Sequence, residues 1–261
     1  MNSLLSLLQP YPFERLKQLF AEVTLPANYS AISLGMGEPR HPTPQFIKDT
    51  LCSHLEGLAS YPATAGDIRL RAAFTEWIQR RYQLDLNPAT QVLPINGSRE
   101  ALFAFAQTVI DAAQPDPMVV CPNPFYQIYE GATLLAGAKP YYAPSDPARN
   151  FAVDWDSVPL DVWQRTQLIF VCSPGNPTGA VMPLNEWHKL FALSDRYGFV
   201  IASDECYSEI YFRDEPPLGG LEAAKKLGRH DFKNLISFTS LSKRSNVPGL
   251  RSGFVAGDAA L

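Results

Sequence analysis

The order in which short apolar runs and longer amphipathic stretches follow one another constrains this chain more than any single residue does. From about residue 90 onward, strand-length apolar runs stand at 91–95, 118–121, 168–172, 199–203, 235–239 and 253–256, each stopping at polar, glycine or proline residues. Between them, 98–112, 126–136, 183–197 and 219–227 carry the longer periodicity of helices. Strands that alternate with helices pair side by side and bury both faces under those helices. The pattern therefore predicts an α/β fold with a mainly parallel sheet and helices on both faces. Before residue 90 the pattern differs: two helices, about 44–57 and 67–82, surround the loops 35–39 (Gly-Met-Gly-Glu-Pro) and 61–66 (Tyr-Pro-Ala-Thr-Ala-Gly). There is no internal repeat and no low-complexity tract.

With 261 residues, 46% of them hydrophobic, the chain can bury a full core, as one large domain or two small ones. A net charge of −4 without a basic run argues against a nucleic-acid surface. Cys52, Cys121, Cys172 and Cys206 lie far apart with no CxxC pair, and read as reduced thiols rather than a disulfide frame. The histidines, His41, His54, His188 and His230, are equally scattered, so no metal site is expected. The first ten residues are apolar but lack the positive leader and cleavage site of a signal peptide. They are expected to pack against another part of the protein or a second subunit. No apolar run is long enough to span a membrane. The expectation is a soluble, cytoplasmic protein.

In open α/β sheets, functional groups gather at the carboxyl ends of the strands, and the polar motifs of this chain fall there. After 91–95 comes Asn96-Gly97-Ser98-Arg99-Glu100-Ala101, a small-residue turn opening a helix, suited to a phosphate but also readable as a plain capping box. After 118–121 comes Pro122-Asn123-Pro124-Phe125-Tyr126, whose aromatic pair could stack on a planar ring or simply fill the core. After 168–172 comes Ser173-Pro174-Gly175-Asn176-Pro177-Thr178-Gly179, a dense turn that presents the Asn176 amide or is merely a tight loop. After 199–203 come Asp204, Glu205 and Tyr207. A carboxylate at a buried strand end needs a cation such as a protonated pyridine nitrogen, unless Asp204 only caps a helix.

After 235–239 comes Ser240-Leu241-Ser242-Lys243, with Arg251 eight residues beyond Lys243 and a Pro-Gly turn between. A lysine so placed can bond covalently to an aldehyde while its neighbours hold a phosphate. One small molecule carrying both groups is pyridoxal phosphate, and the strand ends jointly supply what it needs. The Ser-x-x-Lys spacing also occurs in serine hydrolases of the penicillin-binding type, but their Ser-Asp-Asn and Lys-Thr-Gly companions are missing.

At these residues the chain resembles the fold-type I, class I/II aminotransferases that use pyridoxal phosphate, over about 34–258. Within them the segments 96–103 and 242–254 look most like the bacterial succinyldiaminopimelate aminotransferases. The resemblance implies a three-layer α/β/α large domain with a mainly parallel seven-stranded sheet. Residues 1–40 would form an N-terminal arm and small-domain segment, and 41–261 the cofactor-binding domain. It implies that Lys243 binds the cofactor's aldehyde and shuttles the substrate proton, and that Asp204 pairs with the pyridinium. Tyr207 and Asn176 would donate to the phenolic oxygen, and Tyr126, or its rival Phe125, would stack on the ring. Gly97, Ser98, Arg99, Ser240, Ser242 and Arg251 would hold the phosphate. Gly37, with Asn176, would contact the substrate. Tyr61 would reach the phosphate of a neighbouring subunit, which implies a homodimer.

By the same resemblance the substrates are an amino acid and a 2-oxo acid, with glutamate and 2-oxoglutarate as the donor pair and N-succinyl-2-amino-6-ketopimelate as the amino acceptor. The family continues through a small C-terminal domain bearing an arginine for the substrate carboxylate. This chain stops at Leu261, so the expectation is a truncated aminotransferase with weak cofactor binding and little turnover. Alternatives within the resemblance are another class I/II aminotransferase, a carbon–sulfur lyase, or a cofactor-binding remnant without turnover.

Overall fold

The strands form where β-branched and aromatic residues cluster between turns. The structure, a computed structural model, describes residues 1–24, 26–30, 32 and 34–261. Its strands are β1 (Val92–Ile95), β2 (Met118–Asn123), β3 (Lys139–Asp146), β4 (Ala152–Val153), β5 (Thr166–Cys172), β6 (Val200–Asp204), β7 (Leu235–Ser240) and β8 (Gly253–Gly257). They form one sheet in the order β1-β8-β7-β6-β5-β2-β3-β4. β2, β3, β5, β6 and β7 pair in parallel, while β8 lies antiparallel between β1 and β7.

All six expected strands are present. β3 carries no clear apolar signal because it lies near the sheet edge: it contains Pro140 and Pro144, and of its residues only Ala143 is buried. Proline, which cannot donate to a ladder, is tolerated there. β4 adds an eighth strand to the expected seven, pairing only Val153 with Ser145 and Ala152 with Asp146.

The helices are α1 (Pro12–Leu19), α2 (Gln45–Ser53), α3 (Ile68–Tyr82), α4 (Ser98–Val109), α5 (Ile128–Leu135), α6 (Leu160–Trp163), α7 (Leu184–Tyr197), α8 (Gly220–Lys226) and α9 (Leu241–Arg244). The helix expected over 44–57 ends early, since His54 (φ −122°, ψ 19°) leaves the helical region before a short 3₁₀ turn at Leu55–Ala59.

Alternate strand residues face opposite ways, so the core falls into two layers. Val120, Ile169 and Ile201 pack with Ile78 of α3, Trp187 and Leu190 of α7 and Leu221 of α8. Val119, Phe170 and Ala202 pack on the other face with Leu102 and Ala106 of α4 and Tyr129 of α5. That is the three-layer arrangement the alternation predicts. It brings the carboxyl ends of β1, β2, β5, β6 and β7 to one edge. Among the described residues, no helix is long and apolar enough to cross a membrane, and no cluster of acidic, histidine and cysteine side chains could hold a metal ion. The four cysteines are free.

Candidate active site

A cavity of about 470 Å³ opens along that edge. At one end α4 begins. The Ala101 N–H is bonded to the Gly97 carbonyl (3.2 Å), and the amides of Ser98, Arg99 and Glu100 precede this first turn, as the orphan donors of a helix start. Ser98 Oγ accepts from the Cys206 thiol (3.0 Å). Opposite, β7 runs into α9 through Ser240, whose hydroxyl caps the Ser242 N–H (3.1 Å). Arg251 joins the two sides, donating to Ser242 Oγ (3.4 Å) and to Glu100 Oε2 (2.9 Å).

Gly97 sits at φ +104°, and a Cβ there would lie 2.0 Å from the Arg251 guanidinium. Only glycine lets that guanidinium close on the helix start. Glu100 is drawn into an ion pair with Arg251 and the Gly97 cap makes no side-chain bond, so the capping-box reading of this segment is not realised. Two guanidiniums, serine hydroxyls and a helix dipole make this end an anion receptor.

Asp204, the last residue of β6, is 4% exposed and lines the same cavity. It accepts from Tyr129 Oη (2.8 Å) and the Cys206 N–H (3.2 Å), both neutral donors. Among the described residues no cation pairs with it, and burial pushes its pKa above the ordinary carboxylate value. Its neighbour Glu205 turns to the opposite face, accepting from Ser203 Oγ (2.9 Å), the Gly220 N–H (2.8 Å) and Tyr82 Oη (3.3 Å). Glu205 therefore ties α8 and the end of α3 to the sheet, and Asp204 alone meets the cavity.

Lys243, on α9, is half-buried and donates from Nζ to the Gly37 carbonyl. Burial lowers its pKa below the ordinary lysine value, with Glu38 opposing that shift and the smaller effects of Arg99 and Arg251 adding to it. The same carbonyl accepts from Tyr207 Oη (3.3 Å), and burial raises that phenol to about 12. Tyr207 thus remains a proton donor at neutral pH. Asn246 and Thr43 clamp the Gly37 loop beside the lysine, with Thr43 Oγ1 bonded to the Asn246 carbonyl (2.9 Å) and Asn246 Nδ2 to that of Pro42 (3.0 Å). Arg244 lies 3.8 Å over the Trp77 ring and pins α9 to α3.

Asn176 lines the cavity from the 173–179 loop, with its N–H 3.3 Å from Cys172 Sγ. Phe125 and Tyr126 both face the cavity. Phe125 stacks on Tyr142 (5.2 Å), whereas the Tyr126 hydroxyl accepts from Arg99 Nε.

Of the residues expected from the sequence, Tyr61 alone lies away from this assembly, its side chain wholly exposed. Tyr129, Cys206, Glu100 and two aromatics of the N-terminal segment, Tyr11 and Phe13, were not expected and belong to the site or its support. Tyr129 stands one helical turn beyond Tyr126, a spacing that could have marked it. The donor set fits pyridoxal phosphate: anion receptors at one end, a buried carboxylate short of a cation, and an amine of lowered basicity.

The family model of class I and II aminotransferases matches residues 29–261. The chain belongs to this family. Aminotransferases of the family depend on pyridoxal phosphate, in keeping with the donor set above. A relative from Aquifex aeolicus, named LL-diaminopimelate aminotransferase, is 35% identical over 259 residues, covering 98% of this chain and 65% of its own length. The LL-diaminopimelate aminotransferase of Syntrophobacter fumaroxidans is 34% identical, with 98% and 64% covered. This chain therefore spans about 65% of the length of the curated relatives it matches. Among solved structures, an aminotransferase from Neisseria meningitidis superposes with a TM-score of 0.96 at 54% identity, over 100% of this chain and 66% of the other. Aminotransferase AspB of Helicobacter pylori gives 0.89 at 41%, over 97% and 66%.

Proposed function

We propose that this chain carries the cofactor-binding part of an aminotransferase that moves an amino group between an amino acid and a 2-oxo acid. The observation that supports it best is the meeting of Lys243, Asp204 and the anion receptor in one cavity. When bound, pyridoxal phosphate supplies an aldehyde that exchanges amines and a ring that accepts the electron pair left when a Cα proton departs. Ser98, Ser240, Ser242, Arg99 and Arg251 hold its phosphate. Asp204 keeps a proton on the ring nitrogen, because that cation is the partner its buried carboxylate lacks. Tyr207 and Asn176 donate toward the phenolic oxygen. Lys243 would bond to the aldehyde and, as a neutral amine, would take and return the proton at the substrate Cα as a general base. Its lowered basicity leaves more of the neutral amine needed for both tasks.

In this reading the protein is cytoplasmic, and its amino substrate is a diaminopimelate-type compound exchanged with 2-oxoglutarate. The curated relatives bear the name LL-diaminopimelate aminotransferase, whereas the segments 96–103 and 242–254 resemble the succinylated class. Division into a segment 1–40 and a cofactor domain 41–261, and a homodimer in which Tyr61 reaches the neighbouring site, complete the proposal.

The test has two parts. Mixed with pyridoxal phosphate, the protein is expected to develop the visible band of a lysine-bound cofactor, and Lys243→Ala is expected to lack it. A band that survives the substitution removes Lys243 from its role. LL-diaminopimelate and its N-succinyl derivative are then offered separately with 2-oxoglutarate, and glutamate is measured. Glutamate from one donor alone assigns the substrate, and glutamate from neither rules out both for this chain.

A further inference from the structure

Tyr129, in the first turn of α5, does not line the cofactor cavity but touches two residues that do, Tyr126 and Asp204. It is fully buried, its ring stacked on Phe170 (4.5 Å between centroids, 9° between planes) and edge-on to Tyr126 (5.8 Å, 84°). Thr133 Oγ1 donates to its backbone carbonyl (2.7 Å). Packing alone would be served by phenylalanine. Packing does not explain the hydroxyl, because a buried phenol is costly unless bonded. Its bond goes to Asp204 Oδ2 (2.8 Å), while Oδ1 accepts from the Cys206 N–H (3.2 Å). One donor on each oxygen fixes the plane of the carboxylate, and each oxygen keeps a further lone pair.

We propose that Tyr129 is a positioning residue: its hydroxyl holds the Asp204 carboxylate charged and oriented, so that the site favours a ring whose nitrogen is protonated. The inference rests on the aminotransferase reading of the cavity. A hydrogen bond donated to a carboxylate favours its charged form, and here it opposes the burial that disfavours that form. The phenol stays a donor, since burial first and the Asp204 charge second push its own pKa well above the ordinary tyrosine value. The titratable groups that face Asp204 from other segments are Cys172 of β5, Cys206 and Tyr207 beyond β6, and Tyr126 ahead of α5. All four are raised above their ordinary values and stay neutral at neutral pH. Lys243 turns to the Gly37 carbonyl, and Glu205 to the opposite face. Asp204 is therefore the group whose charge Tyr129 governs.

The test compares Tyr129→Phe with the parent chain. In the cofactor-free protein, carboxyl NMR of isotope-labelled aspartate follows the Asp204 titration, assigned by the signal missing from Asp204→Asn. Tyr129→Phe is expected to raise the Asp204 midpoint by about one pH unit, as loss of a bond to a charged group requires. With ring-labelled 4-deoxypyridoxine phosphate bound, the nitrogen resonance is expected to move from the protonated toward the neutral position at the same pH. Thr133→Val removes the bond to the Tyr129 carbonyl and keeps the phenol. It is expected to lower the thermal midpoint and leave both NMR readouts unmoved. In the parent itself, the sheltered Tyr129 hydroxyl proton is expected to move downfield as Asp204 ionises. A hydroxyl proton that ignores Asp204 overturns the proposal whether or not the variant folds. So does an Asp204 midpoint that stays or falls in Tyr129→Phe, an unmoved nitrogen resonance, or equal shifts in Thr133→Val. Failure of the parent to bind the analogue is distinct, since it overturns the aminotransferase reading and this proposal with it.

Discussion

Lys243 and Asp204 owe their chemistry to burial acting in opposite directions. Removal from water penalises whichever form is charged, so the amine is pulled below the ordinary lysine value and the acid is pushed above the ordinary carboxylate value. Only the neutral amine attacks an aldehyde. A lowered pKa therefore moves the onset of covalent capture to lower pH. The rate of pyridoxal phosphate capture, read by borohydride trapping and peptide mass spectrometry, is expected to reach half its plateau below the ordinary lysine value. A midpoint at or above that value would contradict the buried-amine account. The linkage for Asp204 runs the other way. Because its folded pKa is raised, its contribution to stability is complete below the unfolded carboxylate value and fades as pH rises through the raised one. In the proposed complex, Asp204 would regain that contribution at neutral pH by pairing with a cationic ring nitrogen.

At the scale of elements, the site depends on two junctions, the start of α4 and the start of α9. Gly97 joins β1 to α4 at a positive φ with Arg251 packed against its Cα, so Gly97→Ala meets both backbone strain and collision. The expected cost is about 1–3 kcal/mol of stability, read as a lower denaturation midpoint. Affinity for the aldehyde-free analogue 4-deoxypyridoxine phosphate should fall as well, since Arg251 is displaced. Unchanged affinity would show that Arg251 takes no part in holding the phosphate. Both junctions were legible in the sequence, because glycine and serine at a strand-to-helix turn act through their own backbone. Glu100 was not. Its pairing with Arg251 spans 151 positions and overrides the local capping pattern.

For the whole molecule, the first 70 residues are unlike the rest. Leu19, Phe20, Phe46, Leu58 and Tyr61 are each more than half exposed, whereas the central strands β2, β5, β6 and β7 are almost entirely buried. An apolar set of that extent marks a surface that another body covers, and the homodimer proposal supplies a second copy. Sedimentation at graded concentration is expected to show dimers. In the dimer, Tyr61→Phe is expected to weaken 4-deoxypyridoxine phosphate binding roughly tenfold, the worth of a hydrogen bond to a charged group. At concentrations where the chain is monomeric the substitution should have no effect. Equal affinities of variant and parent in the dimer would free Tyr61 from the role.

What the sequence determined by itself was periodic or local: the alternation that makes a parallel sheet, and the turn residues that place Asn176, Asp204 and Lys243 at strand ends. Such signals survive without neighbours because they act through backbone geometry and through the side-chain periods of strand and helix. Only the tertiary structure decided the rest. It chose which of two adjacent acids meets the cavity, set Tyr129 on Asp204 across 75 positions, and allowed prolines into β3 near the sheet edge. Burial and through-space contact arise only after distant segments pack, and no window of sequence contains them.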